Sequence, residues 1–136
     1  MDAIAALSQP SPETAEAAWL RCRPYIEAAL ARAGATHGID DVERSIEQGR
    51  AHFWPGRRCA VVTEFYDYPR LKACNLWLLG GDLRELMASR PVIEAWARVQ
   101  GCARILGGGP RRGWARLLAP AGYRPEWIIY SKELKP

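Results

Sequence analysis

The residues Gly80, Gly81 and Asp82 form the point in the sequence where a ligand site is easiest to build. They follow the apolar run at 73–79 and precede a helical pattern, which predicts a buried strand that passes directly into a helix. The two glycines let the backbone turn, and Asp82 then caps the helix. Because the first N–H groups of a helix have no partner within it, such a joint is a common place for an anionic ligand in α/β proteins.

A second candidate is the segment at 107–113, which reads Gly-Gly-Gly-Pro-Arg-Arg-Gly. A glycine run followed by Arg111 and Arg112 at a predicted helix start is suited to bind a phosphate or an acidic partner. The segment lacks the spacing and the lysine of a Walker motif. The sequence therefore leaves open a basic docking loop and a plain flexible connection.

Metal and disulfide chemistry is not indicated by the sequence. The four cysteines contain no Cys-x-x-Cys pair, and only two histidines accompany them. We therefore expect no metal and reduced thiols. No apolar run approaches the ~18 residues that a membrane-spanning helix needs, and the first residues lack the order of a signal peptide. These features predict a protein without a membrane span that stays in the cytoplasm.

The net charge of +4 is unevenly distributed along the 136 residues. Residues 1–100 carry 12 basic and 13 acidic side chains, whereas residues 101–136 carry 7 basic and 2 acidic ones. This basic last quarter suits nucleic acid, an acidic protein or the phosphates of a cofactor, and equally a solvated face without a partner. A chain of this length is expected to form one domain, here at 11–136, after a loose lead-in at 1–10.

Two helices are predicted in the first third of the chain. The first begins at its N-cap, Ser11, and carries apolar residues at three- and four-residue spacing, and Pro24 should kink or restart it. The second opens with a capping box in which Asp40 is the N-cap and Glu43 reaches back to it.

The rest of the chain predicts a sheet around a long helix. Residues 53–56 form a turn beside which Trp54 is expected to cover the core, with stacking on a ligand as the alternative. The runs 60–66 and 73–79 form an antiparallel hairpin. A helix kinked or divided at Pro91 follows. The last predicted elements are a strand at 103–106, a helix at 113–119 and a strand at 126–131. The order α-α-β-β-α-β-α-β indicates a mixed-sheet α/β or α+β domain.

Several stretches, taken with this order of elements, resemble the GNAT (Gcn5-related N-acetyltransferase) fold, and more narrowly the small GNAT-like proteins of tailed phages and prophages. The resemblance extends from Ile39 to the end of the chain. The matching stretches are Phe53-Trp54-Pro55-Gly56, Leu76-Trp77-Leu78-Leu79-Gly80-Gly81-Asp82-Leu83, Ile93-Glu94-Ala95-Trp96-Ala97 with Gly101-Cys102, and Arg112-Gly113-Trp114-Ala115-Arg116 followed by Gly122-Tyr123. The resemblance implies a mixed sheet with flanking helices, and either acetyl transfer or a role in virion assembly.

In this family acetyl-CoA lies between two diverging parallel strands, with its pyrophosphate on the N-terminus of the central helix. Carried over to this sequence, the resemblance implies cofactor contacts from Leu79, Gly80, Gly81, Arg111 and Arg112. The family's Arg/Gln-x-x-Gly-x-Gly/Ala loop is shortened here, and Asp82 puts a carboxylate where the anion would lie. Two like charges in contact cost on the order of 1 kcal/mol or more, so we expect no cofactor, or acetyl-CoA if the protein is an enzyme.

The resemblance also implies a tyrosine that protonates the leaving thiolate. The alignment puts Leu118 at that position, and leucine has no proton to donate. Tyr123 falls on an aromatic position that packs in the core of the family. The remaining candidates for acid or base lie on the hairpin, namely Glu64 and Tyr66 with Tyr68 beside them. Glu64 lies where the family often carries a general base, although a surface carboxylate is the commoner case.

Loss of both features favours a scaffold that no longer transfers acetyl groups. Our leading hypothesis is a phage-type protein that acts through contacts with other virion or assembly proteins, or with copies of itself, in the host cytoplasm and in the virion. The alternative is an acetyl-CoA-dependent N-acetyltransferase of a small amine or a protein lysine. Nucleic acid binding ranks last, because the basic last quarter contains no recognised module. Trp77, Trp96, Trp114 and Trp127 are expected to pack in the core, and some tryptophans to anchor an interface.

Overall fold

A four-stranded sheet in the order β1-β2-β3-β4 forms the centre of the fold. The computed structural model of the chain describes residues 13–34, 36–108 and 113–134. The strands are β1 (Ala51–Pro55), β2 (Cys59–Asp67), β3 (Lys72–Gly81) and β4 (Arg104–Gly107). The first three pair antiparallel, and β4 pairs parallel to β3. The predicted class, an α+β domain with a mixed sheet and flanking helices, is confirmed.

Helices cover both faces of this sheet. They are α1 (Ala15–Arg32), α2 (Ile39–Glu47), α3 (Leu83–Val99) and the short α4 (Gly113–Leu118), which a single 3₁₀ turn (Ala119–Ala121) follows. Pro24 lies inside α1 and Pro91 inside α3, and neither proline divides its helix in two. None of the helices in the described part of the chain is both long and apolar enough to cross a membrane.

The N-caps differ from the predictions at two helices of three. Thr14 caps α1 by accepting a hydrogen bond from the Ala17 N–H at 3.0 Å, so the helix begins later than predicted, and Ser11, the predicted N-cap, lies outside the described residues. At α2 the N-cap is Gly38, whose N–H donates to Asp41 Oδ2 at 2.8 Å, and the predicted cap at Asp40 was wrong. The sequence offers several acceptors near each start, and the packing of the helix decides among them. The predicted cap of α3 at Asp82 is confirmed.

The core has two layers because β2 and β3 are covered on both faces. The layer under α1 and α2 contains Cys22, Ile26, Val42, Val62 and Leu78. The layer under α3 contains Trp54, Val61, Leu76, Leu86 and Ile93. Burial on both faces is the physical reason that these two strands have long apolar runs instead of strict alternation.

Two parts of the chain differ from the sequence-based prediction. Residues 51–55 form β1, where a turn was expected at 53–56, because pairing with β2 holds them extended and buries Trp54 to 3% exposure. The predicted position of Trp54 in the core is thereby confirmed. Residues 126–131, expected to form the last strand, belong to no helix or strand, and Trp127 is exposed instead of packed in the core.

Candidate functional site

The pairing of β3 with β4 stops part-way along β3, where β4 ends, and we call this point the separation of the two strands. Their pairing extends from Ala73 with Arg104 to Leu76 with Gly107, whereas β3 continues to Gly81. Relative to β2, strand β3 contains one extra residue at this point. Val62 of β2 pairs with Leu78, whereas Thr63, the next residue of β2, pairs with Leu76. Trp77 is thus a β-bulge, and a bulge bends its strand and interrupts pairing. No other described strand pairs with this edge of β3 beyond Leu76.

The separation opens a groove between the two strands, α3 and α4. Its enclosed volume is about 20 Å³, room for about one water molecule, and its walls are almost entirely apolar. The lining residues are Leu76, Leu79, Leu86, Met87, Arg90, Gly107, Gly108, Trp114 and Leu118. Leu118 therefore does lie in the groove, so that a leucine stands where the resemblance expects a proton donor. Of the predicted cofactor residues, Leu79 lines the groove.

Arg90 is the one charged residue in this described lining. Its Nη1 donates to Glu94 Oε2 at 2.6 Å, and the Tyr123 hydroxyl donates to the same oxygen at 2.6 Å. Burial and the bond to Glu94 raise the pKa of Tyr123, which keeps the phenol neutral and in a packing role. The Nε of Arg90 is buried and has no acceptor among the described residues. An acceptor on a ligand in the groove would complete its hydrogen bonding.

The N-terminus of α3 carries two carboxylates. Asp82 Oδ1 accepts the Glu85 N–H at 3.0 Å, which occupies one of the free helix donors. Glu85 Oε1 accepts the Arg58 N–H at 3.0 Å and the Cys59 thiol at 3.1 Å. Burial, together with this hydrogen bond to Glu85, raises the pKa of Cys59, so the thiol stays protonated. The site is built to hold its own acidic side chains, and a pyrophosphate does not fit it.

Gly80 and Gly81 are needed for packing. A Cβ on Gly80 would lie 2.1 Å from the Tyr25 carbonyl oxygen of α1, and one on Gly81 would lie 2.3 Å from the Arg58 carbonyl oxygen. Gly81 also has a φ of +103°, which favours glycine. The two glycines thus let α1 and β2 approach β3 closely. The predicted cofactor residues Arg111 and Arg112 lie outside the described residues.

The candidate acid and base lie together near the end of β2. Glu64 Oε1 accepts the Tyr66 hydroxyl at 3.0 Å and the Asn75 amide at 3.1 Å, and Asn75 also donates to the Tyr66 oxygen at 3.1 Å. Burial first, and Glu64 second, raise the pKa of Tyr66 to about 12. The ring of Tyr68 packs edge-on against that of Tyr66, with centroids 6.1 Å apart.

This cluster lies beside the separation of β3 and β4 but on the opposite face of the sheet from the groove. Asn75 is paired with Glu64 and directly precedes Leu76, the last residue of β3 that pairs with β4. Phe65 stacks on Trp96 of α3 with centroids 5.3 Å apart. Since side chains alternate along a strand, Glu64 and Tyr66 point to the other face. The structure brings these two predicted residues together and keeps them apart from Leu79.

Sequence reasoning missed Asn75 and Arg90. Each had a weak signal, because Asn75 is the polar residue within the apolar run 73–79, and Arg90 has Glu94 four residues later on a helix. What they contact depends on strand register and on the approach of residues far away in the chain. No group of three or more His, Cys, Asp or Glu residues in the described ranges could hold a metal ion.

Solved acetyltransferases share this arrangement of elements. A probable acetyltransferase is 8% identical over 91% of this chain and 96% of its own, with a TM-score of 0.66. A Trypanosoma brucei acetyltransferase is 10% identical over 96% of this chain and 87% of its own, with a TM-score of 0.55. The chain has a GNAT-like acetyltransferase fold. The TTHA1254 protein of Thermus thermophilus is also similar, with 10% identity, a TM-score of 0.54 and coverage of 84% and 96%.

These identities show the fold alone. The sequence matches no family model and no curated protein. Within the GNAT-like fold, the groove between β3 and β4 lies at the place where the resemblance expects acetyl-CoA. Its walls are apolar, as a contact with the arm of such a cofactor requires, but its volume has room for about one water molecule, and the acidic N-terminus of α3 does not fit a pyrophosphate.

Proposed function

We propose that this is a GNAT-fold protein that has lost acetyl transfer and acts through protein contacts, as an assembly factor or component of a phage virion. The observation that carries the proposal is the pair of carboxylates, Asp82 and Glu85, at the N-terminus of α3. The phage assignment rests on the sequence resemblance described above.

The electrostatic argument is direct. A pyrophosphate at the start of α3 would lie against Asp82 and Glu85, and each pair of like charges at about 4 Å costs roughly 1–4 kcal/mol between bulk water and a protein surface. Asp82 cannot turn away without losing its cap on the Glu85 N–H, which is worth about 1 kcal/mol. Leu118 offers no proton to a departing thiolate. The fold survives these changes because its core residues are independent of them.

Calorimetric titration with acetyl-CoA tests the loss of cofactor binding. We expect no binding to the natural chain at millimolar cofactor. In the double variant Asp82→Asn and Glu85→Gln both side chains keep an acceptor oxygen and lose their charge, so affinity should rise. The matched control replaces Asp40 with Asn and Glu47 with Gln, two exposed carboxylates on α2, and should still not bind. Micromolar binding to the natural chain would contradict the proposal.

The protein-contact half of the proposal needs a separate measurement. Assembled particles should contain the protein, or particles assembled without it should be defective. Particles that lack the protein and form normally in its absence would contradict this half, whatever the titration shows.

A second candidate function is N-acetylation of a small amine or a protein lysine with acetyl-CoA. It is favoured by the groove itself and by the Arg90 Nε, which has no acceptor among the described residues and would be satisfied by a ligand. Leu79, Gly80 and Gly81, with Arg111 and Arg112, would hold acetyl-CoA, which supplies the acetyl group as a thioester. An amine that approached from the face of Glu64, beside the separation of β3 and β4, would form the new C–N bond as the C–S bond breaks; Glu64 would accept the amine proton, and coenzyme A would leave as its thiolate.

This second function is tested by activity. Acetylation of an amine panel should be measurable, and Glu64→Gln should reduce its rate by about 10²-fold or more, while Glu47→Gln should not. An inactive natural chain, or a Glu64→Gln variant with the natural rate, would remove this candidate.

A further inference from the structure

The C-terminal segment, residues 126–134, exposes an apolar row to solvent. Trp127, Ile128, Ile129 and Tyr130 are consecutive and have exposed fractions of 68%, 71%, 73% and 88%. Isoleucine, tryptophan and tyrosine favour strands, and single exposed apolar residues are normal on a surface whereas four in a row are not. The segment has strand composition and yet pairs with no strand in the described part of the chain.

The sheet also has an open edge. β4 pairs with β3 on one side only, and no described strand lies on its other side. An edge strand presents unpaired N–H and C=O groups to any strand that approaches, and proteins protect such edges with proline or a covering element. At the opposite edge, β1 contains Pro55 and contacts α2, whereas β4 contains no proline.

An ion pair connects the two features. Arg104 Nη1, at the start of β4, lies 3.3 Å from Glu126 Oε1, at the start of the C-terminal segment. The segment therefore begins beside the open edge, and beyond Glu126 it pairs with no strand among the described residues. One chain thus carries both halves of a strand pairing, an acceptor edge and a free strand-forming segment.

We propose that two copies of this chain exchange their C-terminal segments, each adding residues 127–130 as a strand to β4 of the other. This deepens the proposed protein-contact function, on which it rests, by naming a second copy as a partner. Exchange about a two-fold axis satisfies both edges and both segments at once and stops at two copies. A different partner chain would leave one of the two features unsatisfied.

The area is sufficient for a stable pair. Burial of Trp127 and Tyr130 removes roughly 300–500 Å² of surface per segment. Two segments, with an equal area on the surfaces that receive them, bury about 1,200–2,000 Å², the range of specific protein interfaces. The backbone hydrogen bonds of β-augmentation add to this contact.

Light scattering after size-exclusion chromatography tests the exchange. The full chain should have twice the mass of one copy. Ile129→Asp and Ile129→Pro should give single copies, the proline because it removes a backbone donor from the added strand. The matched control is Val99→Asp, another exposed apolar residue, which should remain a pair. Because both residues are exposed within one copy, these variants should keep the helical part of the natural circular dichroism spectrum.

Three results would overturn the exchange. The first is a full chain that stays a single copy at every concentration, including one in which hydrogen exchange shows residues 127–130 protected by their own sheet. The second is a pair that persists in Ile129→Pro, since its interface would lie elsewhere. The third is a Val99→Asp variant that dissociates as Ile129→Asp does. A single-copy chain that is nevertheless found in particles would overturn the exchange and leave the proposed function standing.

Discussion

Asp82 caps α3 through one contact, and in the proposed function the same contact excludes an anion. Its carboxylate accepts the Glu85 N–H, and thereby fills the position that a phosphate oxygen would take at the start of α3. The two effects can be separated by Asp82→Asn. The asparagine oxygen would still accept the Glu85 N–H and keep the helix capped, but it would carry no charge to repel an anion.

The contribution of Asp82 as a cap can be measured by urea unfolding. Asp82→Ala should lower the free energy of unfolding by about 1 kcal/mol, whereas Asp82→Asn, which keeps the acceptor, should cost about 0.5 kcal/mol or less. Glu47→Ala, an exposed carboxylate at the other end of a helix, is the control and should change little. Equal losses for Asp82→Ala and Asp82→Asn would show that charge, and not the hydrogen bond, stabilises α3.

Tyr66 predicts a pH dependence at the alkaline end. Its pKa is raised to about 12 in the folded chain against the ordinary value of 10.0, so the folded state holds this proton more tightly than the unfolded chain does. The resulting stabilisation is complete below pH 10 and is lost as the pH rises towards 12. Tyr66→Phe should therefore make stability fall less steeply between these values, as measured by urea unfolding at a series of pH values. If the free energy of unfolding of Tyr66→Phe fell with pH as steeply as that of the natural chain, the raised pKa of Tyr66 would be contradicted.

At the scale of elements, the close approach of α1 to the sheet depends on the absence of a side chain at Gly80. The Tyr25 carbonyl lies where any side chain at position 80 would begin, and it belongs to a helix backbone that cannot rotate aside. Gly80 and Gly81, which the resemblance assigns to a cofactor, thus have a packing role that does not depend on any ligand.

This close contact gives a second stability prediction. Gly80→Ala should destabilise the protein by about 3 kcal/mol, because the Cβ forces α1 away from β3. Gly108→Ala is the control, since nothing lies within 4 Å of a Cβ there. Thermal unfolding of both variants checks the difference. A Gly80→Ala variant as stable as the control would mean that α1 is less closely packed than described.

At the scale of the whole molecule, the exchange of C-terminal segments makes stability depend on concentration. The melting temperature of the full chain should rise with protein concentration, because association stabilises the folded state by mass action. Ile129→Pro should melt at one temperature throughout. Calorimetry over a wide range of concentrations makes the comparison, and a constant melting temperature for the full chain would count against the pair.

The sequence allowed prediction of those features that neighbouring residues determine. The cap at Asp82, the hairpin of β2 and β3, the core position of Trp54 and the mixed sheet follow from local pattern and from order along the chain. β1 could not be predicted, because its residues become a strand only when β2 lies beside them. The contact of Asn75 with Glu64 depends on register between strands, which local pattern does not contain.

The bulge at Trp77 means that the groove is maintained by the length of β3 and not by any side chain. Leu76 and Leu78 already point to opposite faces with Trp77 between them, so removal of this one residue would leave every other side chain of the strand on its present face. The strand would straighten, and its edge beyond Leu76 would lie nearer to Gly107 and Gly108 and narrow the groove. A substitution at position 77 would leave the extra residue in place, and the two strands would still diverge.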